Sequence, residues 1–135
     1  MHGLAMRLFR ILEWPWRRRQ RRLMATRDDY TKQDFARLCR ARGASEKIVD
    51  EVWEALRAEA VVADFKPHPD DRIEKDYGLA DEDKDEDLVL ALLQRCGCRI
   101  PVPYSEEALN MGPASTVGEL VDYLVKMKSP SPSSG

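Results

Sequence analysis

Apolar residues recur at helical spacing in three separate stretches of this 135-residue chain, and that period constrains the fold more than any other feature. Ile48, Val49, Val52, Trp53, Leu56 and Ala60 lie on one face of a 3.6-residue period. Leu88, Val89, Ala91, Leu92 and Leu93 give a second, wider apolar surface, and Val117, Leu120, Val121, Leu124 and Val125 a third. Alternation of period two, the mark of half-buried strands, is hard to find, and aromatics make up only 7% of the chain. The expected fold class is therefore all-α. The 43% apolar content is enough to close one small core, and the length fits one domain plus tails.

Start and stop signals divide the chain. Thr31 with Asp34 makes a capping-box-like start, with Asp in place of the usual Glu/Gln, and Phe35, Leu38 and Cys39 then share one face before Gly43 supplies a stop. Ser45 is the next N-cap, a position typically worth about 1 kcal/mol over alanine. From Ala60 to Glu82 the helical pattern breaks at Pro67, Pro69 and Gly78, which predicts a long ordered loop anchored by Phe65, Ile73, Tyr77 and Leu79. A helix follows from about Asp83 to Arg95 and ends at Gly97, Pro101 and Pro103. Ser105 to Met111 forms a short helical segment, and Thr116 caps the last helix. The expected organisation is a basic aromatic arm (1–27), an extra helix (28–43), a compact helical domain (44–128) and a disordered tail (129–135).

Charge is unevenly spread. Residues 1–42 carry twelve Lys/Arg against four acids, and residues 43–135 carry ten against twenty. A basic head on an acidic body implies two surfaces with different partners. No apolar run reaches the about 20 residues of a membrane span, and the start lacks the order of charges of a signal peptide. The three cysteines are odd in number and without framework spacing, which favours a reducing compartment. Cys96-Gly97-Cys98 has no second Cys/His pair at ligand spacing, because His2 and His68 are isolated, so no metal site is expected and Cys96 reads as a core residue. No nucleophile–base pair or phosphate loop appears, which disfavours an enzyme. A helix-turn-helix over residues 32–58 is disfavoured too: Glu46, Asp50, Glu51, Glu54 and Glu59 on its second helix would repel phosphates.

Three stretches carry a resemblance. Pro69-Asp70-Asp71-Arg72-Ile73-Glu74-Lys75-Asp76-Tyr77-Gly78-Leu79, then Asp87-Leu88-Val89-Leu90-Ala91-Leu92-Leu93 running on to Ile100-Pro101, and Thr116-Val117-Gly118-Glu119-Leu120-Val121-Asp122-Tyr123-Leu124 resemble the loop, second helix and closing helix of the acyl carrier protein family. The resemblance spans about 80 residues, and this chain is similar to uncharacterised bacterial carrier-like proteins. It implies a four-helix bundle, here with an extra N-terminal helix, and a second helix opened by an Asp-Ser-Leu motif whose serine takes a phosphopantetheine arm. An ungapped register places Asp81, Glu82 and Asp83 on that motif, and no serine lies between Ser45 and Ser105. A carboxylate cannot accept the arm in the serine's place, so no cofactor is expected. The acidic face at Asp81, Glu82, Asp83, Asp85, Glu86 and Asp87 remains, and the family uses that face to meet basic patches on partner proteins.

The leading expectation is thus a non-catalytic, acyl-carrier-like protein-interaction module that meets a protein partner through a basic patch on that partner. The alternatives are a genuine acyl carrier or acyl-chain binder of lipid or secondary metabolism, and a membrane- or nucleic-acid-associated protein acting through the arm. In that arm Phe9, Trp14 and Trp16 stand beside Arg17, Arg18, Arg19, Arg21 and Arg22, a composition suited to an anionic membrane surface. Nucleic acid is the less favoured partner. The same pattern also fits an organelle presequence, a start at Met24, or a disordered or packed extension. The expected location is cytoplasmic, bacterial, with a membrane-peripheral position as the variant.

Overall fold

The computed structural model describes residues 14–78, 82–101 and 115–128, with backbone only for residue 14 and residues 82–87. Among the described residues there are six helices and no strand, in agreement with an all-α class. They are α1 (Trp14–Ala25), α2 (Lys32–Arg40), α3 (Glu46–Glu59), α4 (Ile73–Tyr77), α5 (Glu82–Arg95) and α6 (Val117–Lys128).

Helices α3, α5 and α6 pack on one another, α2 packs on α3, and α1 packs on α4. The three expected stripes meet in the middle. Val52, Leu56, Leu92, Leu120, Val121 and Leu124 are fully buried. Each such leucine stabilises the fold by roughly 1.5–3 kcal/mol through removal of apolar surface from water. Phe35 and Cys39 of α2 close one end of this core, with Phe35 tilted against Trp53 at 5.2 Å between ring centroids.

The caps form as the sequence implies. Thr31 Oγ1 accepts the Asp34 N–H while Asp34 Oδ2 accepts the Thr31 N–H, a reciprocal box. Ser45 caps α3 by accepting the Ile48 N–H, and Thr116 accepts the Glu119 N–H at the start of α6. Gly43 stands after α2 at φ +95°, where a β-carbon would be strained. Leu38 departs from its expected place: Phe35 and Cys39 are fully buried, but Leu38 is 37% exposed, at the rim of the α2 stripe, and Ala36 is buried instead.

The described part of the α3–α5 connection, residues 60–78, is not wholly a loop, because residues 73–77 make the one-turn helix α4. Asp76 caps this turn from within, its Oδ2 accepting the Arg72 N–H at 2.7 Å, and Gly78 ends it in the left-handed conformation. Phe65, Ile73 and Tyr77 are the anchors, all buried. The segment also completes α6. Pro69 O accepts the Gly118 N–H at 2.7 Å and Asp71 O accepts the Val117 N–H at 2.9 Å, which satisfies donors a helix N-terminus leaves without partners. Leu79 and the segment 105–111 lie outside the described residues.

Candidate functional site

The arginine-rich stretch, to which the sequence pattern assigned no helix, is α1. It carries five arginines, and only its inward face contains polar and apolar residues suited to packing. Trp16, Gln20, Leu23, Met24 and Arg27 recur at intervals of three and four, and they turn toward the α3–α5 connection, while Arg18, Arg21 and Arg22 are exposed. A run of consecutive arginines hides this period because all its members look alike in a hydropathy profile. Gln20, the one uncharged residue in it, is the signal.

Gln20 is fully buried and spends every polar atom on one task. Its Nε2 donates to Asp76 O at 2.8 Å, and its Oε1 accepts the N–H groups of Val61 at 2.9 Å and Val62 at 3.0 Å. One side chain therefore ties together both ends of a segment sixteen residues long. Beside it, Arg19 Nε donates to Asp76 Oδ1. Trp16 covers Gly78, where a β-carbon would stand 2.9 Å from the indole. Any other residue at Gly78 displaces the tryptophan.

At the far end of α1 lies a buried charge network. Arg27 grips Asp71 with both guanidinium nitrogens, Nη2 to Oδ1 and Nη1 to Oδ2, and Nη1 also donates to Lys66 O at 2.6 Å. Lys66 Nζ returns a bond to Arg27 O at 3.0 Å. The Tyr77 hydroxyl, at 2.8 Å, and the His68 N–H, at 2.9 Å, donate to Asp71 Oδ2. The Arg27 guanidinium also lies over the Phe65 ring, 5.4 Å from its centroid. Burial, then the charge of Asp71, raises the Tyr77 pKa well above 10.0, so this hydroxyl keeps its proton and donates.

Chemically the network is a latch. Asp71 receives four hydrogen bonds, three at Oδ2 and one at Oδ1, from groups that hold the segment together. The thiols offer no thiolate either: burial pushes Cys39 and Cys96 up to about 11 and raises Cys98 as well. Among the described residues no group of three or more His, Cys, Asp or Glu is placed to hold a metal ion. None has a helix long and apolar enough to cross a membrane.

What the arrangement leaves open is a cleft between α1 and α4 of about 550 Å³, bounded by Trp16, Arg18, Arg19, Arg22, Glu74 and Lys75. A second hollow of about 490 Å³ lies on the other side of the same ridge, against Arg17, Arg21 and Ala25, and shares Arg18 and Arg22. Of the residues expected from sequence to act in binding, Arg17, Arg18, Arg19, Arg21 and Arg22 are thus brought together on one helix. Arg19 turns out to be tied to Asp76. Glu82, Asp83, Asp85, Glu86 and Asp87 fall in the first turns of α5, their side chains outside the described residues, and Asp81 is outside them altogether. Gln20, Lys75, Asp71 and Asp76 had no place in the expected site, whereas Trp16 was expected in the arm beside the arginines.

These features define a helical fold with a latched N-terminal helix and a basic ridge. Comparison with protein-family models, with curated proteins and with solved structures gives no match.

Proposed function

We propose that this protein is a non-catalytic, acyl-carrier-like interaction module, a helical scaffold that presents charged faces to partners and carries no prosthetic arm. The observation that supports it is the division of labour on α1. Its inward side chains are spent on fixing the helix, and its outward arginines stand in solvent on a rigid support. Among the described residues the polar interior is taken up by the latch, and the buried thiols keep their protons, which supports a binding role over a catalytic one. The carrier-like part of the reading rests on the order of α3, a long anchored connection, α5 and α6. It rests also on the acidic run from Asp81 to Asp87 at the start of α5.

The test is chemical. The full chain is incubated with coenzyme A and a broad-specificity phosphopantetheinyl transferase, and its intact mass is measured. No mass gain is expected from the native chain. A gain of one arm would overturn the reading and leave a genuine carrier. In the double variant Glu82→Ser with Asp83→Leu, gain of the arm is expected, because it restores a serine–leucine pair at the register of the family motif.

A further inference from the structure

The cleft between α1 and α4 is lined by cations from both helices, Arg18, Arg19 and Arg22 of α1 and Lys75 of α4. Its two walls are fastened to each other by Arg19 to Asp76 and by Gln20 to Asp76 O. Arg22 and Lys75 face each other across it, both exposed, and neither makes an ion pair among the described residues. Arg18 extends the same positive edge, and Glu74 is the one acid on the rim. Trp16, packed against Gly78, gives the cleft an aromatic wall.

From this we infer that the cleft binds a phosphate-bearing ligand, with Arg22 and Lys75 as its anion contacts. An arginine fork matches the oxygens of a phosphate two at a time, and a lysine adds a mobile point charge. About 550 Å³ lies within the usual range for small-ligand sites, large enough for a phosphate ester and not only a bare ion. The inference stands on the cleft alone, whether or not the carrier resemblance holds.

Two sources supply this chemistry, a soluble phosphate ester and the headgroup of an anionic lipid, and one experiment separates them. The full chain is titrated with sn-glycerol 3-phosphate and, separately, with vesicles of phosphatidylglycerol in phosphatidylcholine. Arg22→Ala and Lys75→Ala are run beside Lys126→Ala, which removes an exposed charge on α6 away from the cleft. The expected result is saturable binding in at least one arm, weakened at least tenfold by Arg22→Ala and by Lys75→Ala and unchanged by Lys126→Ala. Binding of the ester identifies a soluble ligand, and binding of vesicles alone identifies a lipid headgroup. No binding in either arm overturns the inference. So does binding that all three variants weaken equally, since that is attraction to net charge and not to a site. Both cleft variants change exposed side chains outside the latch, and circular dichroism confirms that they fold.

Discussion

The interior of this protein is held by two kinds of contact in two places. Between α3, α5 and α6 the contacts are apolar, with Val52, Leu92, Leu120 and Leu124 fully buried. Between α1 and the α3–α5 connection, beside the apolar packing of Leu23 and Met24, directional contacts are made by Arg19, Gln20 and Arg27 to Val61, Val62, Lys66, Asp71 and Asp76. Apolar burial is tolerant of angle and scales with area, so it yields a core in which neighbours substitute for one another. The polar junction has no such tolerance, because each donor is matched to one acceptor and the loss of either strands the other. The comparison teaches that the core tolerates local change while the junction, being specific, sets the placement of the basic ridge.

The largest expected effect belongs to the junction. Asp71→Ala strands the Arg27 guanidinium, whose side chain is only 10% exposed, with no counter-ion. Breaking a buried pair from one side typically costs about 3–5 kcal/mol. Replacing both partners, Asp71→Leu with Arg27→Met, is expected to recover most of that, because an apolar pair of similar size leaves no charge behind. Chemical denaturation of the three proteins decides it. A double variant as unstable as the single one would show that the latch matters for more than its charge balance.

Next is the core. Leu120→Ala empties a fully buried site on α6, at an expected cost of about 2–5 kcal/mol depending on how far the cavity collapses. This loss is global, so hydrogen-exchange protection falls together in α3, α5 and α6. A loss confined to α6 would mean that the three helices are not one cooperative unit.

That contrast also explains what could be read from the sequence. The core was legible because Ile48, Val49, Val52, Trp53 and Leu56 repeat with the period of a helix, and period alone tells which face is inward. The caps at Thr31, Ser45 and Thr116 were legible because capping is a local exchange between residues three apart. The junction was not. Gln20 finds its partners at Asp76, Val61 and Val62, more than forty residues away, and no local pattern encodes such a pairing. Arg27 and Asp71 are read singly as surface charges for the same reason. The arginine cluster was legible as a site, but its division into the tied Arg19 and the exposed Arg18, Arg21 and Arg22 appears only once Gln20 sets the rotation of α1.

A smaller effect sharpens the claim that placement lives at the junction. Gln20→Ala leaves the N–H groups of Val61 and Val62 and the carbonyl of Asp76 without partners, at about 1–3 kcal/mol for the buried groups exposed to loss. Its signature is local: amides of α1 lose exchange protection while those of α3, α5 and α6 keep theirs. If α5 loosens as well, α1 is part of the core and the two regions are one.

The smallest effect at neutral pH is Tyr77→Phe, which removes a single hydrogen bond to Asp71 and costs about 1 kcal/mol. Alkaline pH enlarges it and sets the two regions against each other. Cys39 and Cys96, in the core, and Tyr77, in the latch, all hold their protons more tightly folded than unfolded. Stability from a raised pKa is fully present below the unfolded value and is lost as pH rises through the folded one. For the thiols that loss begins near their ordinary 9.0 and runs to about 11, and for Tyr77 it begins at 10.0. The core therefore weakens before the latch does. Denaturation midpoints measured from pH 7 to pH 11 should be level to about pH 9 and then fall. Replacing Cys39, Cys96 and Cys98 together by Ala should delay the onset of that fall, and Tyr77→Phe should reduce its upper part, which Tyr30 shares, without moving its onset. A midpoint that stays level to pH 11 would mean that neither region opposes ionisation. A fall that Tyr77→Phe alone removes would reverse the order, making the latch the first part of the molecule to open.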